Sequence, residues 1–304
     1  MYSYTMAQWL FFFYFYCFFG WCFESAFVSL KKRSCVNRGF MRGPFLPLYG
    51  SGAIMMLVVS MPFQHNVLLT YVAGCIGATV LEYITGVVME VLFKVRYWDY
   101  SNQKFNFKGY ICLTSTLAWG GLTILMTRIV HKPIEQLVGD IPHNILMSIV
   151  FILTIYIVAD FTLSFKAAID LRDILVKLEA AKEEIERVQK RLDVIIAVSN
   201  EGREAKKQER GERADELLSS IEERLLGLKG KIQSGVLTYP ESMREEILDL
   251  WMKYKINLEK SRQLKNLMDI YKRRLIKGNP TMVSAKFKHA LQEIKDVVYD
   301  RLKK

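Results

Sequence analysis

Five long apolar runs occupy the first half of the chain, at about residues 5–29, 46–62, 67–93, 110–130 and 144–165. Each approaches the roughly 20 residues that a helix needs to cross about 30 Å of hydrocarbon. The second run is the weakest. It is short, lies between Pro44, Pro47 and Pro62, and carries Gly50 and Gly52, so it reads either as a span or as a re-entrant segment. The first run has no basic region before it and is long for a signal peptide, so it is read as a retained helix. The pattern predicts an all-α fold: a polytopic membrane helix bundle of about five spans over residues 1–165.

A different period follows. Apolar residues fall at Leu171, Ile174, Leu178, Ala181, Ile185, Val188, Leu192 and Ile195. The alternation of three and four without a slip predicts a coiled coil over residues 166–198. Residues 199–213 lose all large apolar side chains and read as a polar linker. Further helices are expected at about 214–233, 241–277 and 281–303, making 214–304 a helical module. In its last junction Gly278 ends one helix, Asn279 caps the next and Pro280 suits its first turn. The last two helices are expected to form a hairpin.

Charge sets an orientation. Lys31, Lys32, Arg33, Arg38 and Arg42 lie between runs one and two, and Lys94, Arg96, Lys104 and Lys108 between runs three and four. The 2–3 connection has no Lys or Arg, and the 4–5 connection has only Lys132 beyond the end of its run. The positive-inside rule then puts the N-terminus outside the cell membrane and the tail in the cytoplasm. The formal net charge of +11 suits anionic lipid headgroups at that face. It is not accompanied by any nucleic-acid recognition motif, so no nucleic-acid partner is expected.

Within the third run every fourth residue is small or acidic: Gly74, Ala78, Glu82, Gly86 and Glu90. Residues four apart share one face of a helix. Small residues there permit close helix packing, which is the reading for Gly74 and Ala78. A charge near the bilayer centre costs about 2.5–3.5 kcal/mol, so an intramembrane acid marks a packed polar site or a pathway. Four acids fall within runs: Glu24, Glu82, Glu90 and Asp160. Glu90 is four residues from Lys94 and can snorkel to the interface, whereas Glu82 is twelve residues, about 18 Å of helix, from it. Glu82 therefore needs a partner. The nearest arginines are Arg38 and Arg42, in the glycine- and proline-rich segment 37–50. The expectation is a cytoplasm-facing polar site built from Glu24, Arg38, Arg42, Glu82, Glu90, Trp98 and Asp99, with an arginine paired to Glu24, Glu82 or Glu90. A charge exchange between Glu82 and either arginine would then rescue a damaging single change.

Neither catalytic nor metal-binding residues are assigned. The cysteines (Cys17, Cys22, Cys35, Cys75, Cys112) form no C-x-x-C pair and read as buried thiols, and the four histidines have no ligand spacing. No cofactor is expected.

Several short signatures occur in order: Trp21 and Glu24, NRGFMRGPFLPLYG at 37–50, EYITGVVME at 82–90, WDYS at 98–101, and Asn106, Gly109, Ile111 and Cys112. Together they resemble the ABC-transporter permease family of the CmpB, or type IV, kind, over roughly residues 5–165. The resemblance implies a membrane subunit powered by a separate cytoplasmic ATPase, which would dock on loops 31–47 and 94–109. The chain has no G-x-x-x-x-G-K-[ST] phosphate loop with which to power transport itself. Homo-oligomerisation through the 171–195 coiled coil would complete a pathway. Two other readings stand beside this one: a membrane-embedded enzyme acting on a lipid or isoprenoid headgroup, and a scaffold or sensor acting through its tail.

Overall fold

The computed structural model describes residues 4–198, 221–224, 226–227, 230 and 241–300. The linker expected at 199–213 and most of the helix expected at 214–233 lie outside the described residues. Among the described residues the fold is all-α apart from one hairpin of two two-residue strands. Its elements are α1 (Met6–Lys32), α2 (Pro47–Ser60), α3 (Val67–Phe93), β1 (Asn106–Phe107), β2 (Ile111–Cys112), α4 (Leu113–Leu125), α5 (His131–Gly139), α6 (His143–Val198), α7 (Glu241–Asn266), α8 (Ile270–Gly278) and α9 (Lys288–Asp300).

Among the described residues, four helical stretches are long and apolar enough to cross a membrane: Met6–Lys32, Val67–Phe93, Leu113–Gly139 and His143–Ile195. The apolar helix Pro47–Phe63 is shorter. Its α-helical part, with 14 residues, rises about 21 Å, less than the hydrocarbon thickness. Proline at its start supplies a fixed φ where no intrahelical donor is needed. Chain entry into α1 is fixed by a capping box between Thr5 and Gln8, and Asn66 caps α3 by accepting from the Leu69 amide. Between α4 and α5 a π-helical turn, Met126–Val130, continues the helix without a break.

The chain divides into two compact units. One contains residues up to Asp173 together with the chain from Met268 onward; the other is Ile174–Leu267. The module expected at 214–304 is thus shared between them. In the first unit the core gathers Phe12, Tyr14, Tyr16 and Cys17 of α1, Leu57 of α2, and Leu146, Val150 and Ile157 of α6, with Met41 and Phe45 from the connecting loop.

In the second unit the heptad seam of α6 is buried against the unit's own chain. Ile185, Val188, Leu192 and Ile195 pack with Ile221 and with Ile247, Leu250 and Tyr254. Arg191 pairs with Glu246 across the same seam. Leu248, Met252 and Ile256, four residues apart on α7, stay exposed.

The last junction departs from expectation. Gly278 does end a helix, α8, but Asn279 does not cap the next one. Its side-chain amide donates to the Leu275 and Gly39 carbonyls, both at 2.9 Å, so it is spent closing α8 onto the 37–43 loop. The continuous helix expected at 241–277 is also broken, because Asp269 accepts from the Tyr271 and Lys272 amides and starts α8 anew.

Candidate functional site

The small-and-acidic face of α3 packs on α4 and on the loop that leads into it. A methyl group on Gly74 would land on the Thr123 side chain, and one on Gly86 would lie 3.0 Å from the Tyr110 ring and 3.4 Å from Trp98. The glycines therefore let a helix and a pair of rings approach the α3 backbone. That is the packing role read for Gly74 from sequence.

Glu82 sits between these contacts and is buried, 6% exposed. One carboxylate oxygen accepts from the Tyr100 hydroxyl at 3.1 Å. The other accepts from Trp119 Nε1 at 3.0 Å and Ser115 Oγ at 3.3 Å. All three donors are neutral, and no cationic side chain among the described residues pairs with Glu82. Neither Arg38 nor Arg42 reaches it, so a charge exchange with either arginine has no geometric basis. Dipoles aimed at a carboxylate can replace a counter-ion when burial strengthens each hydrogen bond. Burial first, and then the Glu82 carboxylate it donates to, push the Tyr100 phenol well above its usual range and keep it a donor.

Glu24 does have an arginine. Arg38 Nε lies 3.2 Å from Glu24 Oε1, and the Tyr49 hydroxyl donates to Oε2 at 2.6 Å. The rest of the Arg38 fork reaches the C-terminal segment, donating to the Gly278 carbonyl and to Asn279 Oδ1, each at 3.1 Å. Each carboxylate thus keeps a tyrosine donor of its own, Tyr49 on Glu24 and Tyr100 on Glu82.

The other expected residues form a second group and a brace. Glu90 pairs with Arg96, Nε to Oε2 at 2.5 Å, and accepts from Tyr110. Its cation is Arg96, just past the end of α3, rather than Arg38 or Arg42. Asp99 lies 4.0 Å from the same guanidinium, and Trp98 donates to the Tyr110 carbonyl at 3.0 Å. Arg42 meets no glutamate. Its guanidinium stacks over Tyr271 at 3.4 Å and donates to the Leu163 carbonyl. Asp160 accepts from the Arg42 and Gly43 amides, at 3.3 and 2.7 Å, and so ties the 37–50 loop to α6.

The C-terminal segment completes this end of the unit. Val283 and Arg96 exchange backbone hydrogen bonds of 2.7 and 2.9 Å, Thr281 donates to the Tyr97 carbonyl, and Ser284 to the Lys94 carbonyl. Both basic loops are held by residues 278–284.

Sequence reasoning missed Tyr49, Tyr100, Ser115 and Trp119. A signal was present for the last two: Ser115, Trp119, Thr123 and Thr127 recur every fourth residue and mirror the α3 ladder. The attachment of 278–284 left no periodic trace.

No group of three His, Cys, Asp or Glu side chains among the described residues is placed to hold a metal ion.

Several long apolar helices, one of them carrying the buried Glu82, define a polytopic membrane protein. The family model described as "Putative ABC-transporter type IV" matches residues 11–165, just over half the chain, and the chain belongs to that family. Neither the curated proteins nor the solved structures contain a match.

Proposed function

We propose that the chain is the permease subunit of an ABC-type transporter whose energy comes from a separate cytoplasmic ATPase. The observation that carries this reading is that the matched region contains Glu24 and Glu82, each inside a helix long enough to span a bilayer and each held by fixed hydrogen-bond donors. Intramembrane carboxylates held by fixed donors are what a polar path across hydrocarbon requires.

The proposed topology has five crossings, with the N-terminus outside and the tail in the cytoplasm. Support comes from the 278–284 segment, which binds both basic loops and so draws them to one end of the unit. A 27-residue α3 that finishes at that end begins at the other, and α2 must then carry the chain across despite its length. The ATPase would meet the 31–47 and 94–109 loops together with the segment from Met268 laid over them. Self-association is part of the proposal. With Ile185, Val188, Leu192 and Ile195 of the seam covered in cis by α7, the exposed Leu248, Met252 and Ile256 stripe is the face that supports it.

Affinity purification of the full chain from detergent, followed by mass spectrometry, tests the reading. An ABC ATPase enriched with the chain is the expected result. Recovery of none, in detergent and in nanodiscs, with and without nucleotide, overturns it.

A further inference from the structure

In the first unit a crevice of about 10 Å³ lies between the 37–43 loop, α6 and α8, with Arg42, Ser164, Tyr271 and Arg274 among its walls. Arg42 is its fixed cation. The guanidinium lies over the Tyr271 ring and gives one Nη2 hydrogen to the Leu163 carbonyl at 3.2 Å, which holds it in one orientation. Its Nε is buried and has no hydrogen-bond partner among the described residues. Arg274 lines the same crevice from an exposed position. No carboxylate among the described residues pairs with either guanidinium. Buried donors without acceptors are rare, and such a group marks a place where an acceptor belongs.

Position decides what can supply the acceptor. Along α6 the exposed apolar side chains run from Ile145 to Leu163, and the first exposed cation after them is Lys166. Ser164 and Ala167, the α6 residues of the crevice, lie at that change. There hydrocarbon gives way to headgroups. Apolar surface adjoins the crevice: Leu163 is 49% exposed, Phe161, packed on Phe40 of the crevice wall, 42%, and Ile270, next to Tyr271, 79%. An exposed isoleucine and tyrosine followed by Arg273, Arg274 and Lys277 give α8 the composition of a helix lying in the interface.

The donors decide the chemistry. An arginine fork matches the oxygens of a phosphate, and the crevice has room for about one oxygen atom, which leaves the rest of the group at its mouth beside Arg274. Asp160 brings one negative charge to this region, but it accepts from the Arg42 and Gly43 amides and from Ser164, and Arg42, Lys166 and Arg274 outnumber it. A zwitterionic head would add a further cation, so a head with net negative charge fits better. We propose that the crevice binds the phosphate of an anionic phospholipid, with Arg42 and Arg274 as its donors and its acyl chains over Phe161, Leu163 and Ile270. The inference depends on the chain lying in a membrane and not on the permease reading.

Native mass spectrometry of the full-length protein, stripped of lipid in a non-ionic detergent, tests it. Titration with phosphatidylglycerol should fill a first site about tenfold more tightly than titration with phosphatidylcholine. Arg42→Gln and Arg274→Gln should each remove about tenfold from the phosphatidylglycerol affinity, whereas Lys260→Gln, at an exposed position of the other unit, should leave it unchanged. Arg274→Gln carries the test if Arg42→Gln fails to elute like the parent. Millimolar inorganic phosphate should not displace the first lipid. Equal affinity for the two lipids, parental affinity in a folded Arg42 or Arg274 variant, or an equal loss in Lys260→Gln overturns the site. Displacement by phosphate makes it a free-phosphate site and overturns the lipid assignment. No ATPase enters these measurements, so their failure leaves the permease reading standing, and an absent ATPase leaves the lipid site standing.

Discussion

Replacing Arg38 with alanine should release the C-terminal segment from the membrane unit. Its guanidinium pairs with Glu24 at 3.2 Å and donates to the Gly278 carbonyl and Asn279 Oδ1 at 3.1 Å each, with its side chain 13% exposed. Hydrogen bonds involving a charged group are worth about 1.5–3 kcal/mol each. Removing one member of a buried pair costs about 3–5 kcal/mol, because the other charge is stranded. Glu24 keeps the Tyr49 hydroxyl at 2.6 Å, which puts the loss at the lower end, about 3 kcal/mol. Expressed as local opening, that is roughly a hundredfold. The reporter is the Val283 amide, which donates to the Arg96 carbonyl at 2.9 Å. Hydrogen exchange in nanodiscs should show its peptide exchanging about a hundredfold faster in Arg38→Ala. Arg38→Lys, which keeps the charge but cannot fork between carboxylate and carbonyl, should fall between. If the Val283 peptide exchanges at the parental rate in Arg38→Ala, Arg38 does not hold the segment and the reasoning fails.

Two further substitutions probe the α3 face. Glu82→Gln turns an amide donor toward groups that already donate, so one buried donor is left unmatched; thermal unfolding in detergent should report a loss of about 1–3 kcal/mol, and parental stability would show that the carboxylate does not hold its three partners. Gly86→Leu drives a side chain into Tyr110 and Trp98, where a Cβ alone would already sit 3.0 and 3.4 Å away. The expected cost is about 1–3 kcal/mol in the same assay, with Gly86→Ala intermediate.

The positions of the long helices were legible because both signals involved are local. The run 67–93 coincides with α3, since the Asn66 cap starts the helix and the left-handed turn at Lys94 ends it. The seam from Leu171 to Ile195 is buried at every position, because a three-four alternation leaves a helix one face to hide. Covering that seam was another matter: Ile247, Leu250 and Tyr254 reach it across a stretch of sequence that no period connects.

The candidate site divides in the same way. Charge and depth singled out Glu24, Glu82 and Glu90, because an apolar run makes any acid conspicuous. Their partners were not legible. Tyr49, Tyr100, Ser115 and Trp119 are ordinary residues until the fold aims their donors at a carboxylate, and Glu90, expected to snorkel or to meet Arg38 or Arg42, is paired with Arg96 instead. Arg38 was identified as a partner for Glu24, but not as the link to Gly278 and Asn279, some 240 residues away.

The sequence by itself determined which segments are apolar helices and that acids lie inside them, because hydrophobic period and the cost of burying charge act over a few turns. Only the tertiary structure decided which donors meet each acid and that the chain from Met268 belongs with the membrane unit. Those outcomes depend on side chains brought together across the chain, where geometry rather than local preference selects the partner.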